Sequence, residues 1–290
     1  MHGGEGGPTL APPTMPQKAR VPPMPADPPL IDCHLHIWRT DHPLTDTAWH
    51  APPTDAPVAD CLAELDRQGV IFAVVAAASI HGEYADYVRA ALKAHRRLRA
   101  TAVLPTNADI YRMEQMAAEG FVGVRLMRAF SDHVPPPDGL LRMHLRRVAD
   151  LGWHVHLVDQ HQRVADSIAA VEASGARLVI DHMGIGDLHY PGGIDNPGFK
   201  AILSAVERGN TWVKVSGKFR ISTDATAAAF TAQILRVAGT ERVLWGSDWP
   251  FAGFEGRVSY ASVLADYHAL VPDAAVRRRI DETGLRFYFG

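Results

Sequence analysis

The chain has 290 residues, 47% of them apolar and 21% charged, and a formal net charge of −3. That length takes in one α/β barrel of about 250 residues, or two small domains, and suffices for a large core. Near-neutrality speaks against a nucleic-acid groove or a membrane-binding face. No apolar run is long enough to cross a bilayer. The two cysteines, Cys33 and Cys61, make no disulfide framework, so a reducing compartment, the cytoplasm, is the expected location.

Residues 1–28 are rich in Gly and Pro and lack the apolar core of a secretory signal. They are expected to be a flexible lead-in. Residues 29–290 are expected to form one domain. PLIDCHLHIW reads as a strand, and APVADCLAELDRQG as a helix with a terminal Gly stop. VIFAVVAAA is an almost continuous apolar run, the pattern of a parallel strand buried on both faces. EYADYVRAALKAHRR is helical, LRATAVL a strand, and ADIYRMEQMAAEG a helix. FVGVRLM, WHVHLV, ARLVIDH, NTWVKVSG and ERVLWGSDW continue the strands, and helical sequence follows each of them. Eight such units predict a (β/α)8 TIM barrel. A doubly wound open sheet shares the alternation, but the first strand lacks a Gly-rich phosphate turn.

The unusual polar residues fall at the C-terminal ends of these strands, the end that carries the chemistry of a TIM barrel. His34 and His36 end the first strand at i and i+2, which directs both imidazoles to one side. Neutral imidazole is the commonest protein ligand for zinc and similar ions. Asp248 leaves the eighth strand just before Pro250, where a carboxylate can bind metal or take a proton from water. His182 ends the sixth strand. His154 and His156 share a face of the fifth, and His156 lies nearer its C-terminal end. Singly these have ordinary readings: a polar strand pair, an Asx-turn aspartate, a hydrogen-bonded core histidine. Together they describe one pocket in which histidines and a carboxylate converge on water.

IDCHLHIW, LVIDHMG and VLWGSDWP, in that order, resemble the amidohydrolase superfamily. The closer likeness is to the branch of 2-pyrone-4,6-dicarboxylate lactonase, 4-sulfomuconolactone hydrolase and the sugar-lactone hydrolases. It extends over about residues 29–290, and the terminal ETGLRFY looks like that branch's closing helix. The resemblance implies a carboxylic-ester hydrolase of aromatic-compound catabolism that opens a small carboxylated lactone. By that likeness Asp248 is the general base, and His34, His36 and His182 polarise the carbonyl directly or through a metal. Ser79, Arg125 and Arg220 match substrate-binding positions, and arginine is the bidentate partner of a carboxylate.

Two departures bear on the substrate. Ile185 stands where an arginine follows HMG in the dicarboxylate lactonases, and Val158 stands where a tyrosine is expected. One carboxylate clamp is therefore missing, which points to a monocarboxylate lactone or one with an apolar substituent. The superfamily's decarboxylases hold zinc with the H-x-H pair, the strand-five histidine and the strand-eight aspartate. The matching set here is His34, His36, His156 and Asp248. The expected cofactor is thus one divalent ion, zinc or manganese, or none. A metal-dependent non-oxidative decarboxylase and a sugar-lactone isomerase are the alternative activities. The expected partner is a small carboxylated lactone, with no nucleic acid and no membrane; a homo-oligomer is left open.

Overall fold

The computed structural model describes residues 27–129, 139–185 and 190–290. Residues 1–26, which take in most of the expected lead-in, and residues 130–138 and 186–189 lie outside the described residues. Eight strands form one parallel sheet in sequential order. They are β1 Ile31–Leu35, β2 Phe72–Val75, β3 Leu98–Ala102, β4 Phe121–Met127, β5 His154–Val158, β6 Arg177–Ile180, β7 Thr211–Val215 and β8 Val243–Trp245. Beyond its last residue β8 turns onto β1: Asp248 N donates to His34 O at 2.8 Å, and His36 N to Trp249 O at 2.7 Å. The sheet is thereby a nearly closed (β/α)8 barrel.

The outer ring consists of α1 Val58–Gln68, α2 Asp86–Ala94, α3 Ile110–Glu119, α4 Gly139–Asp150, α5 Val164–Ser174, α6 Pro197–Arg208, α7 Asp224–Ala238 and α8 Tyr260–Leu270. A last helix, α9 Ala274–Phe289, follows. Their ends follow local chemistry. Asp109 caps α3 by accepting from Tyr111 N, and Gly120 ends it at φ 109°, a left-handed turn that glycine adopts without cost. Strand residues alternate between two cores. Val155, Leu157, Leu178, Ile180, Val213 and Val215 face the helices. Ile31, Cys33, Val74, Val179 and Leu244 point inward and pack on Phe287 and Tyr288 of α9, which plugs one end of the barrel. Among the described residues no helix is long and apolar enough to cross a membrane.

The closure onto β1 depends on Gly246. A Cβ there would lie 2.6 Å from His34 Cβ and 2.7 Å from His34 N, and backbone cannot swing aside as a side-chain tip can. Gly246→Ala is therefore expected to cost about 1–3 kcal/mol by overpacking. Its thermal midpoint should fall by several degrees, at about 2–4 °C per kcal/mol for a domain of this size. A melt that matches the native protein's would contradict this close approach.

Candidate active site

At the open end of the barrel a cavity of ≈ 240 Å³ is lined by His36, His182, Asp248, Arg125, Arg220 and Ser79, with an apolar wall that includes Trp38, Met127 and Ile185. Every catalytic and substrate-contacting residue expected from the sequence thus meets at one place, with His34 fully buried beside it. The backbone there is unusual. His182 has φ 52°, Met183 φ 54° and Asp248 φ 64°. Non-glycine residues seldom adopt this left-handed region, and such strain concentrates at functional sites.

Asp248 is the hub. Its Oδ1 lies 3.3 Å from His36 Nε2, 3.7 Å from His182 Nε2 and 3.8 Å from His34 Nε2. Its Oδ2 accepts from Arg220 Nε at 2.8 Å. Arg220 is steadied by the rings of Phe219 and Phe254, 4.9 and 5.1 Å from its guanidinium carbon. Burial alone would push the Asp248 carboxyl up, but Arg220 and the imidazoles outweigh it and hold it well below the usual carboxylate range. Burial drives His182 down to about 4 and lowers His36, so both are neutral near pH 7. Burial and then the Lys214 charge hold His34 well below its ordinary value. His182 Nδ1 meets Ser216 Oγ at 3.0 Å. His36 Nδ1 meets the Ala76 carbonyl at 2.7 Å.

Beneath this layer lies a second one that the sequence reading did not single out. Lys214 of β7 is fully buried in the barrel interior. Its Nζ lies 2.9 Å from His34 Nδ1, 3.0 Å from Asp181 Oδ1 and 3.2 Å from His156 Nδ1. Asp181 also accepts from Arg125 Nε at 3.0 Å, and Arg125 Nη1 donates to Ala77 O at 2.8 Å. Burial would raise Asp181, but Lys214 leads the neighbours that hold it well below the usual range. A signal for Lys214 was present: a lysine in an apolar strand is almost never fully buried unless paired.

Among the described residues two groups could hold a metal ion: His34, His156 and Asp181 below, and His34, His182 and Asp248 above. The structure does not bring His156 to Asp248. The His156 ring lies in the lower layer, its Nε2 2.9 Å from Tyr288 Oη of α9, with Lys214 Nζ 3.2 Å from Nδ1 and 3.3 Å from Nε2. An ion is thus not offered the set of His34, His36, His156 and Asp248, and the lower group already encloses an ammonium. The upper group keeps the donor types and spacing, and its His34 Nε2 is buried without a hydrogen-bond partner. Of two further basic residues near these strand ends, Arg128 bonds Ser167 Oγ and Lys218 pairs with Asp224 and Asp266, so neither lines the cavity.

One family model, described as amidohydrolase, matches the chain over residues 31–283. The chain belongs to the amidohydrolase family. Among curated relatives, the 2-pyrone-4,6-dicarboxylate hydrolase of Comamonas testosteroni is 26% identical over 269 residues, 86% of each chain. The 4-sulfomuconolactone hydrolase of Hydrogenophaga intermedia is 24% identical over 232 residues, 77% of this chain and 75% of that one. The crystal structure of a candidate 2-pyrone-4,6-dicarboxylic acid hydrolase from Pseudomonas putida superposes with TM-score 0.82 at 31% identity. It covers 90% of this chain and 97% of its own. This amidohydrolase therefore shares its fold with lactone-hydrolase relatives along nearly their full length.

Proposed function

We propose that this amidohydrolase opens a small monocarboxylate lactone by attack of water on the ring carbonyl. The observation that carries the reading is Asp248: a carboxylate kept ionised, with Oδ1 facing three imidazoles and a cavity large enough for one small ring. Oδ1 takes a proton as the water oxygen bonds to the carbonyl carbon. N–H donors of the surrounding side chains stabilise the oxyanion. Collapse of the tetrahedral intermediate breaks the ring C–O bond. The departing alkoxide recovers the proton from Asp248, leaving a ring-opened hydroxy acid. A divalent ion, zinc or manganese, bound at the upper group would supply Lewis-acid polarisation of the carbonyl.

Charge supports a single carboxylate on the substrate. Arg125, Arg220 and Lys214 face Asp181 and Asp248, so among these five groups, with the histidines neutral and no ion bound, one positive charge is in excess. Arg125 reaches the cavity with donors left over from its bonds to Asp181 and Ala77. Where a second anion would need a cation, Ile185 packs with Ala129 and Val158 in a buried apolar patch. Ser79 is placed to touch the substrate from the β2 side.

The test is a lactone panel with none, one or two carboxylates, followed by proton release and product analysis. The highest kcat/KM is expected for the monocarboxylates. Preference for dicarboxylates, isomerisation without ring opening, or release of carbon dioxide would sink the reading. The decarboxylase alternative relies on His156, which shares no candidate ligand group with Asp248 among the described residues. The pH profile is a separate check. A carboxylate depressed below its ordinary range is a base at all higher pH, and histidines lowered by burial stay neutral there. Activity is thus expected to be flat from neutral pH to about 8 and to fall only on the acid side of the ordinary histidine value. An inflection near the ordinary histidine value of about 6.5 would refute it.

A further inference from the structure

We infer that Trp49 is a specificity-determining residue: its indole roofs the cavity between the segments that follow β2 and β8, and it selects lactones with a flat apolar substituent beside their carboxylate over hydroxyl-rich lactones of the same charge. The chain between β1 and α1 is a loop tied at its base. Trp38 N donates to Ala56 O at 2.9 Å, and Ala56 N to Trp38 O at 3.0 Å. The stretch between these ties is pinned on both sides. Towards β2, Thr45 N donates to Ile80 O at 2.9 Å, and Trp49 Nε1 to Ser79 Oγ at 3.4 Å. Towards β8, His50 Nε2 meets Glu255 Oε1 at 2.6 Å, and the His50 ring stacks on Trp49 with centroids 5.3 Å apart. The edge of the indole passes Gly253, where a Cβ would sit 3.5 Å from Trp49 Cζ3.

Trp49 stays 39% exposed although it is pinned. Of the exposed large apolar side chains among the described residues, it alone lines the cavity. An exposed indole at a cavity mouth marks a place where a bound group completes the burial. A flat partner suits it best, since stacked rings gain more than their buried area. The neighbouring wall sets the same requirement. Trp38, Ala78, Ala252 and Phe254 also line the cavity. Trp38 gives its one side-chain donor to Thr54 O at 3.0 Å, and the Phe254 ring lies 5.1 Å from the Arg220 guanidinium carbon. Ser79 carries the one hydroxyl among the described lining residues, and the indole N–H already bonds it. Ring hydroxyls of a sugar-type lactone would be buried against this wall without partners, at a loss of about tenfold each. Glu255 does not line the cavity and acts through His50, as a positioning residue for the indole.

The chemistry at the carbonyl rests on the proposed lactone hydrolysis. Selection by Trp49 is also read from binding, so the two can fail separately. The probes are five-membered lactone monocarboxylates that carry hydrogen, phenyl or a pair of hydroxyls on the ring. Their cyclopentanone analogues, with CH2 in place of the ring oxygen, cannot be hydrolysed. Steady-state kcat/KM for the lactones and Kd for the analogues are measured on the native full-length protein, Trp49→Ala, Trp49→Phe and Glu255→Gln. The native protein should favour phenyl over hydrogen, and hydrogen over the hydroxyl pair, each by about tenfold or more. Trp49→Ala should cut the phenyl-over-hydrogen ratio about tenfold, and Trp49→Phe should keep most of it. Glu255→Gln should reduce the same ratio through KM rather than kcat. A ratio that Trp49→Ala leaves unchanged, a uniform loss on every probe, or a native preference for the hydroxylated ring would overturn the inference. Trp49-dependent preference among the analogues in a protein that opens no lactone would remove the proposed function and leave the inference standing. Lactone opening without that preference would do the reverse.

Discussion

Asp248→Asn is expected to lower kcat on a monocarboxylate lactone by about 10²–10⁴, the range for loss of a positioned general base. The amide has nearly the shape of the carboxylate but cannot take the proton of water. The effect on KM has the opposite sign from simple damage to the pocket. Removing the Asp248 charge leaves Arg125, Arg220 and Lys214 against Asp181 alone, so an anionic substrate should bind as well or better. Arg220 loses its partner in this variant, but it keeps its bond to Ala252 O and its two aromatic neighbours. The fold should therefore survive. A collapse of kcat with KM equal or lower is the signature, read from steady-state kinetics alongside a melt. Retention of more than a tenth of native kcat would place the base elsewhere.

How far this site was legible in the sequence depends on which coordinate is asked for. Alternating apolar runs and helical spacing disclosed eight strands in order. Residues at strand ends line one cavity because the end of a barrel strand and the open face of the barrel are the same place. The depth of a side chain along the barrel axis was not legible. Period two tells which face His156 occupies, and it does share the interior with His154. Its height relative to Asp248 is set by the stagger between strands, which no single strand encodes. Hence His156 meets Lys214 and Tyr288 instead of Asp248. The same limit hid Lys214. NTWVKVSG carries it between Trp212, whose ring packs on Phe287, and Ser216, which bonds His182. Only the assembled barrel shows that the lysine lies between an aromatic floor and the chemistry above. Strand lengths were overread for a local reason. β8 stops at Trp245, not Trp249, because Gly246 passes against His34 and Asp248 turns left-handed.

Asp181→Asn is expected to give the largest loss of stability, about 3–5 kcal/mol, because it leaves buried charges without their counter-ion. Asp181 is fully buried and faces two cations, Arg125 Nε at 3.0 Å on one oxygen and Lys214 Nζ at 3.0 Å on the other. With an amide in its place, Arg125 and Lys214 repel each other across a dry interior, and the midpoint should drop by roughly 6–20 °C. The pH dependence separates this cause from loose packing. In the native protein the depressed Asp181 carboxyl contributes stability that is present above its unfolded value, near 3.9, and lost only as pH falls through its lower folded value. Native stability should therefore be insensitive to this group at neutral and alkaline pH. Burial already lowers Lys214 in the native protein, and the variant removes the carboxylate that opposes this shift, so the unfolded variant binds more protons than the folded one over a wider pH range and its stability rises more with pH. The variant's melting temperature should therefore climb more steeply with rising pH than the native one's. Adding Lys214→Met to Asp181→Asn should restore part of the loss, since removing both partners of a buried pair costs less than removing one. A single variant that melts within about 2 °C of the native protein at pH 7 would show that Asp181 is not the shared counter-ion of this interior.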